Sequence, residues 1–323
     1  MKKIVAIPSE NLNIPAIIID AKDNNWLHVF LVTNPISTIV SRMVIDKYGI
    51  EESDITMVSI RNTDTSIIDL SPITPIKFWY DRFFEKILGI SPKGYRILNV
   101  ITKKKKNFIL YAAWADLEVK KIISSKYCKG HIYLEEGQMA YWPIELYLFK
   151  SSNFINRLVN GDHVRSCSDR KDLYRDDAHA FIGILPDVFP SAPEEKRFIL
   201  TNYEGLKKYY NPVLAGIKTI GLTCAEHRLQ PDQWEAMLKT LVDRMPEGGV
   251  IKLHPSFSID ITKRNLIKSM LKKIASGSIE LCNDDIIIEI EMLYEPKILI
   301  GPLTSLSKYA EAFGSKFNHV DLY

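Results

Sequence analysis

Val250-Ile251-Lys252-Leu253-His254-Pro255 reads as a short buried strand, Val250 to Leu253, that ends on a titratable side chain at a turn. On one side of it, Pro231 to Arg244 repeats apolar residues at helical spacing and opens on Pro231; on the other, Ile261 to Ala275 does the same. Helix, strand and helix in alternation is the pattern of a parallel sheet covered on both faces. The alternation extends outward. Ile217 to Leu222, Ser278 to Cys282, Pro296 to Ile300 and Asn318 to Leu322 read as strands, Ser305 to Phe313 as a helix, and Ile286 to Leu293 as a mainly apolar stretch. The second half is therefore expected to be a doubly wound α/β domain.

The first half repeats the pattern. Lys3 to Pro8, Trp26 to Val32, Ile55 to Ile60, Tyr95 to Ile101, Phe108 to Ala113 and His131 to Leu134 read as strands. Ile36 to Tyr48, Ile76 to Leu88 and Asp116 to Ser125 have helical spacing, with Asp116 placed to cap the third. From about Lys150 to Lys218 the chain is less regular, with Arg and Asp clustered between Arg165 and Asp177 and prolines at 186, 190 and 193 that suggest a connection. The expected division is residues 1–190 and residues 191–323, each Rossmann-like.

Composition narrows the function classes. A chain of 323 residues accommodates two full cores, and its 46% apolar and 25% charged residues are those of a soluble globular protein. A net charge of only +3 gives no support to a nucleic-acid partner. Lys103 to Lys106, with Lys263, Arg264, Lys268, Lys272 and Lys273, form basic runs that are either solvated faces or a weak attraction to anionic lipid or substrate. Cys128, Cys167, Cys224 and Cys282 lie far apart without C-x-x-C spacing, which argues for a reducing compartment and against a zinc knuckle. The basic, apolar start Met1 to Ile7 is cut short at Pro8, too soon for a signal peptide, and no apolar run reaches the ~20 residues of a membrane span. A cytoplasmic protein is expected, soluble or at most peripheral on a membrane.

The chemistry-bearing residues collect where strands end. His131-Ile132-Tyr133-Leu134-Glu135-Glu136-Gly137 is an apolar strand closing on two carboxylates before a glycine, and His254 closes another strand. In open α/β sheets ligands bind beyond the carboxyl ends of strands, so these positions offer a base and an acid. Each also has a plainer reading: an acidic pair before Gly is an ordinary solvated turn, and His-Pro is a natural strand exit. Ile298-Leu299-Ile300-Gly301-Pro302-Leu303-Thr304-Ser305 passes from strand through turn into helix, where backbone amides and the hydroxyls of Thr304 and Ser305 suit a phosphate, or merely cap the helix. Ile220-Gly221-Leu222-Thr223 is a second strand-to-turn element, without the patterns of a dinucleotide or Walker-type site. Glu289 and Glu291 either accept ribose hydroxyls or form the wet face of an alternating strand. His131, His163, His179, His227 and His319 share no ligand spacing, so no metal is expected, and the missing G-x-S-x-G elbow disfavours a serine hydrolase.

Taken in order, Glu135-Glu136-Gly137, then His254-Pro255, then a carboxylate, then Thr304-Ser305, the sequence resembles the bacterial sialyltransferases, whose shared motifs are a D/E-D/E-G segment, an H-P segment and a C-terminal S-S/T pair. The likeness is nearest to the lipooligosaccharide sialyltransferases of glycosyltransferase family fifty-two and the related capsular polysialyltransferases. Thr304 stands where a Ser often leads, and Glu-Glu where an Asp is common. The resemblance implies a GT-B fold, two Rossmann-like domains facing across a cleft, and inverting transfer of sialic acid from CMP-N-acetylneuraminic acid (CMP-Neu5Ac) to a galactoside hydroxyl of a surface glycan or glycolipid. It needs no cofactor and no metal. One of Glu135 and Glu136 would be the base; strand alternation sends them to opposite faces, with a slight preference for Glu135. His254, beside Pro255, would meet the departing CMP phosphate, together with Gly301, Thr304, Ser305, Gly221 and Thr223, and Glu291 rather than Glu289 would hold the ribose. The alternatives are a transferase using another CMP-nonulosonate or nucleotide sugar on the same fold, and a non-catalytic glycan- or anion-binding relative.

Overall fold

The computed structural model describes residues 14–60, 65–75, 78, 81, 84, 91–144, 173, 174, 176–225, 228–258, 261–275 and 277–322. The chain forms two compact units, Met1–Tyr209 and Tyr210–Tyr323. The expected strand at Lys3 to Pro8, most of the expected helix at Ile76 to Leu88, most of the Arg/Asp cluster, and His163 and His227 lie outside the described residues.

In the first unit six parallel strands, β1 (Leu27–Val32), β2 (Ile55–Ser59), β3 (Phe108–Ala112), β4 (Cys128–Leu134), β5 (Ala180–Gly183) and β6 (Arg197–Ile199), stand in the order β2-β1-β3-β4-β5-β6. Every residue of β1 and β3 is buried, as a sheet covered on both faces requires. The described helices are α1 (Ala16–Asp23), α2 (Pro35–Tyr48), α3 (Pro92–Thr102) and α4 (Leu117–Ile123). α2 starts on an Asn34 cap with Pro35 in its first turn and stops at Gly49, whose φ of 56° is left-handed. Ile97 and Ile101, one turn apart on α3, pack with Val119 and Ile122 of α4 against Leu27, Val29, Phe108 and Leu110 of the sheet.

Two expectations for this unit are corrected. Tyr95 to Ile101 is helix, not strand: Ser91 accepts from the Gly94 amide at 3.0 Å, Pro92 presets the first turn, and the buried isoleucines sit four apart. The unit also runs past residue 190, because Arg197–Ile199 pairs with β5 and extends the first sheet.

The second unit carries β7 (Thr219–Leu222), β8 (Gly249–Lys252), β9 (Ile279–Leu281), β10 (Ile298–Gly301) and β11 (Lys316–His319), all parallel, in the order β11-β10-β7-β8-β9. Its described helices are α5 (Trp234–Asp243), α6 (Pro255–Ser258), α7 (Ile261–Ile274), α8 (Ile288–Tyr294) and α9 (Ser305–Ala312). Trp234, Met237, Leu238 and Leu241 of α5 join Ile267 and Leu271 of α7 over Ile251 to form the core. The stretch holding Glu289 and Glu291 is thus a helix, and the wet strand face is corrected.

Both sheets are doubly wound. Strand order reverses between β1 and β3 in the first and between β7 and β10 in the second, and in such sheets ligands bind beyond the carboxyl ends of strands at the reversal. Among the described residues no helix is long and apolar enough to cross a membrane.

Candidate functional site

In the first unit the carboxyl ends of β1, β3, β4 and β5 gather the polar groups. Glu135 and Glu136 follow β4 directly and point apart, as alternation requires. Glu135 is completely enclosed: Oε2 accepts from the Ile184 amide at 2.7 Å, Oε1 accepts from the Tyr141 hydroxyl, and the Glu135 amide donates to Ile182 O at 2.9 Å. A Cβ on Gly183 would lie 2.7 Å from Glu135 Oε2, so the glycine leaves room for the carboxylate. Glu135 therefore ties the end of β4 to the end of β5. Glu136, 9% exposed, turns instead toward α2, where Asn34 Nδ2 donates to its Oε2 at 3.0 Å and to its backbone carbonyl. Gly137, at a φ of 118°, lets the chain turn away immediately afterwards.

The end of β3 adds groups that strand-end reasoning missed. Asp116 caps α4 by accepting from the Val119 amide at 3.0 Å, as expected, and also accepts from Trp114 Nε1 at 2.8 Å. Burial, then the neighbouring Asp116 charge, pushes the Glu118 carboxyl up to about 7, against the opposing pull of Lys93. Asn34 and Ile184 had no signal in the sequence as partners of the Glu pair, since their contacts span 102 and 49 residues, and Tyr141, only six residues from Glu135, carried no pattern that singled it out.

In the second unit His254 follows β8 by one residue. Its amide donates to Thr223 Oγ1 at 2.7 Å, joining the ends of β8 and β7. Its ring Nδ1 accepts from the Ser256 amide at 3.2 Å and lies 2.9 Å from Ser256 Oγ. Acceptance at Nδ1 places the proton of the neutral ring on Nε2, the tautomer that donates from its outer nitrogen. Pro255 opens the short α6 and is exposed. Lys252, two residues earlier, donates to the carbonyls of Asn283 and Asp284 at 2.8 Å and of Ile286 at 2.9 Å, fixing the turn between β9 and α8.

Gly301 ends β10, where a Cβ would lie 2.6 Å from the Leu222 carbonyl, so only glycine allows β10 and β7 this close at the reversal point. Thr304 caps α9, accepting from the Leu306 amide at 3.2 Å, and Ser305 is the first helical residue; both are half-buried. The structure gives two of the expected donor-binding residues other work. Gly221 lies within β7, where the space for a Cβ is taken by Met245 Sδ at 3.0 Å and Ile251 Cγ1 at 3.2 Å, so it is a packing glycine. Glu291, 1% exposed, accepts from the Tyr210 hydroxyl at 2.8 Å and from the amides of Val213 at 2.7 Å and Leu214 at 3.1 Å. Its carboxylate anchors the 210–214 segment. Glu289 sits half-buried on the same helix. Among the described residues no group of three or more His, Cys, Asp or Glu side chains is arranged to hold a metal ion.

No protein-family model matches the chain, and no curated protein sequence matches it. Solved structures do. The chain is similar to the S. aureus MnaA–UDP co-structure, with a TM-score of 0.56 and 11% identity over 90% of this chain and 78% of that one. It is similar to the alpha/beta-galactoside alpha-2,3-sialyltransferase of Photobacterium phosphoreum, with a TM-score of 0.53 and 13% identity over 90% and 89% of the two chains. A third likeness, at a TM-score of 0.52 and 11% identity over 85% and 67%, is to a Photobacterium 2,6-sialyltransferase in ternary complex with CMP and lactose. These likenesses show a shared fold. What the chain shares with them is an architecture of two parallel α/β sheets of the GT-B type.

Proposed function

We propose that the protein is an inverting, metal-independent glycosyltransferase that moves N-acetylneuraminic acid from CMP-Neu5Ac to a galactoside-type hydroxyl of a bacterial surface glycan. One observation carries this reading: a carboxylate and an imidazole, Glu136 and His254, each stand directly beyond a parallel strand, and each is oriented by neighbours of its own unit. Glu136 is the base. It takes the proton of the acceptor hydroxyl as that oxygen bonds to the anomeric carbon and the bond from that carbon to the CMP phosphate breaks. His254 donates from Nε2 to the departing phosphate, whose growing charge the helix-start amides and the hydroxyls of Thr304 and Ser305 also meet. Glu291 serves by holding the 210–214 segment.

In this reading the enzyme works in the cytoplasm on lipooligosaccharide or capsule precursors, with the Lys103 to Lys106 run as a peripheral inner-membrane contact. The UDP-bound fold neighbour favours one second reading, an enzyme of UDP-sugars. Incubation with lactose and a panel of CMP-Neu5Ac, other CMP-nonulosonates and UDP-N-acetylglucosamine, read by mass spectrometry, tests the choice. Sialylated lactose is the expected product. Epimerised or transferred UDP-sugar, with CMP-Neu5Ac untouched, overturns it.

A further inference from the structure

Asn34 belongs to a helix cap and to the Glu136 carboxylate at once. Its Oδ1 accepts from the Ser37 amide at 2.9 Å, while Ser37 Oγ accepts in return from the amides of Asn34 at 3.1 Å and Thr33 at 2.9 Å. This reciprocal cap fixes the side-chain amide plane. With Oδ1 committed to the helix, the NH₂ group has one direction left, and Nδ2 donates there to Glu136 Oε2 at 3.0 Å and to the Glu136 carbonyl. The usual ambiguity between the two ends of an asparagine amide is absent, because a flipped amide would put an NH₂ against the Ser37 N–H and a carbonyl oxygen against a carboxylate.

The consequence is electrostatic. Glu136 is 9% exposed, and burial favours the neutral acid, which is useless as a base. A donor held against one carboxylate oxygen opposes that, since hydrogen bonds to the charged form stabilise it and are stronger than neutral ones. The cap also places Glu136 beside the amino-terminal end of the 14-residue α2, whose dipole favours negative charge. We propose that Asn34 is the positioning residue for Glu136: the same amide that caps α2 holds the carboxylate at the end of β4 ionised and fixes its orientation. The inference rests on Glu136 being the base of the proposed reaction.

Two substitutions separate this role from capping. Serine and aspartate both cap helices well, so Asn34→Ser and Asn34→Asp keep α2 started, and their melting temperatures at neutral pH should fall only as far as the Glu136 midpoint shift itself requires by linkage. Neither keeps the donor. Asn34→Ser removes it, and Asn34→Asp replaces it with a second negative charge. Side-chain carboxyl NMR of ¹³C-glutamate-labelled full-length protein, with Glu136→Gln to assign the signal, reads the Glu136 midpoint directly. It should rise by about one pH unit in Asn34→Ser and further in Asn34→Asp. The acid limb of the transfer pH–rate profile should move upward in the same order. Equal Glu136 midpoints in all three proteins, or a loss of melting temperature with no midpoint shift, overturn the inference. Midpoints that move as stated support the Asn34–Glu136 coupling even if no CMP-Neu5Ac is turned over, in which case the transferase reading alone falls. If Glu136→Gln abolishes transfer while the midpoints are equal, the base assignment stands and Asn34 is only a cap.

Discussion

The Ile184 amide and Glu135 Oε2 lie 2.7 Å apart, a hydrogen bond between the end of β5 and the residue that follows β4. With Tyr141 donating to the other oxygen, the first carboxylate of the Glu pair is held by its own chain, and the second is the one turned toward α2. Glutamine at each position should therefore fail in a different way. Glu135→Gln must turn its oxygen to the Ile184 amide and its NH₂ to the Tyr141 hydroxyl, losing two charge-assisted hydrogen bonds, and should lower stability by ~1–3 kcal/mol while the folded fraction keeps most of its transfer activity. Glu136→Gln should leave stability nearly intact and reduce transfer by roughly 10² to 10⁴ with CMP affinity little changed. Urea melts and turnover of both variants decide the matter. The opposite pattern would return the base role to Glu135.

Glu291 gives a second contrast. Its acceptor oxygens satisfy two amides and a hydroxyl in the 210–214 segment, so Glu291→Gln should destabilise the protein by ~1–3 kcal/mol through an unpaired buried donor. Calorimetric CMP affinity of the folded variant should stay within a few-fold of wild type. A large loss of affinity at unchanged melting temperature would restore the ribose contact that the sequence suggested.

The nucleotide preference is tested by ligand-dependent melting. Cytidine monophosphate at 100 times its dissociation constant should stabilise the native state by ~2.7 kcal/mol, and His254→Ala should weaken both this protection and turnover. Uridine diphosphate is the informative control because a structure of similar fold was solved with it. Equal protection by both nucleotides would remove the ground for a CMP-linked donor.

Much of the fold was legible because parallel strands buried on both faces are short, unbroken apolar runs, as at Phe108–Ala112 and Ile298–Gly301, and their exits are marked by an abrupt change in chemistry. Tyr95 to Ile101 misled for the same reason: an apolar run of that length suits strand or helix, and the deciding signal was the Ser91-Pro92 start just before it. The short β5 and β6 were lost beside a proline-rich stretch that resembles a linker. The work of Glu135, Glu136 and Glu291 was not legible. It depends on Ile184, Asn34 and Leu214, which lie 49, 102 and 77 residues away in the chain and reach the carboxylates only through sheet order and loop path.

Acid should weaken the first unit through one residue of β1. His28 is 2% exposed, with Nδ1 2.9 Å from the Tyr111 hydroxyl, and burial pushes its pKa from 6.5 down to about 4, outweighing the opposite pull of Asp54. Between those two values the unfolded chain binds a proton at this ring that the native state refuses. Stability from His28 is therefore complete above pH 6.5, falls as the pH drops through the window, and is fully lost near pH 4. The size is ~3 kcal/mol, from a shift of about two and a half pKa units at 1.36 kcal/mol each. His28→Gln keeps a polar group for Tyr111 and removes the titration, so its stability in urea should depend less on pH between 7 and 4.5, the difference amounting to ~2.4 kcal/mol. Carboxylates elsewhere contribute to both proteins alike and cancel in the comparison. Parallel pH slopes for wild type and variant would show that His28 charges freely in the folded state, and that the β1–β3 core admits water at this ring.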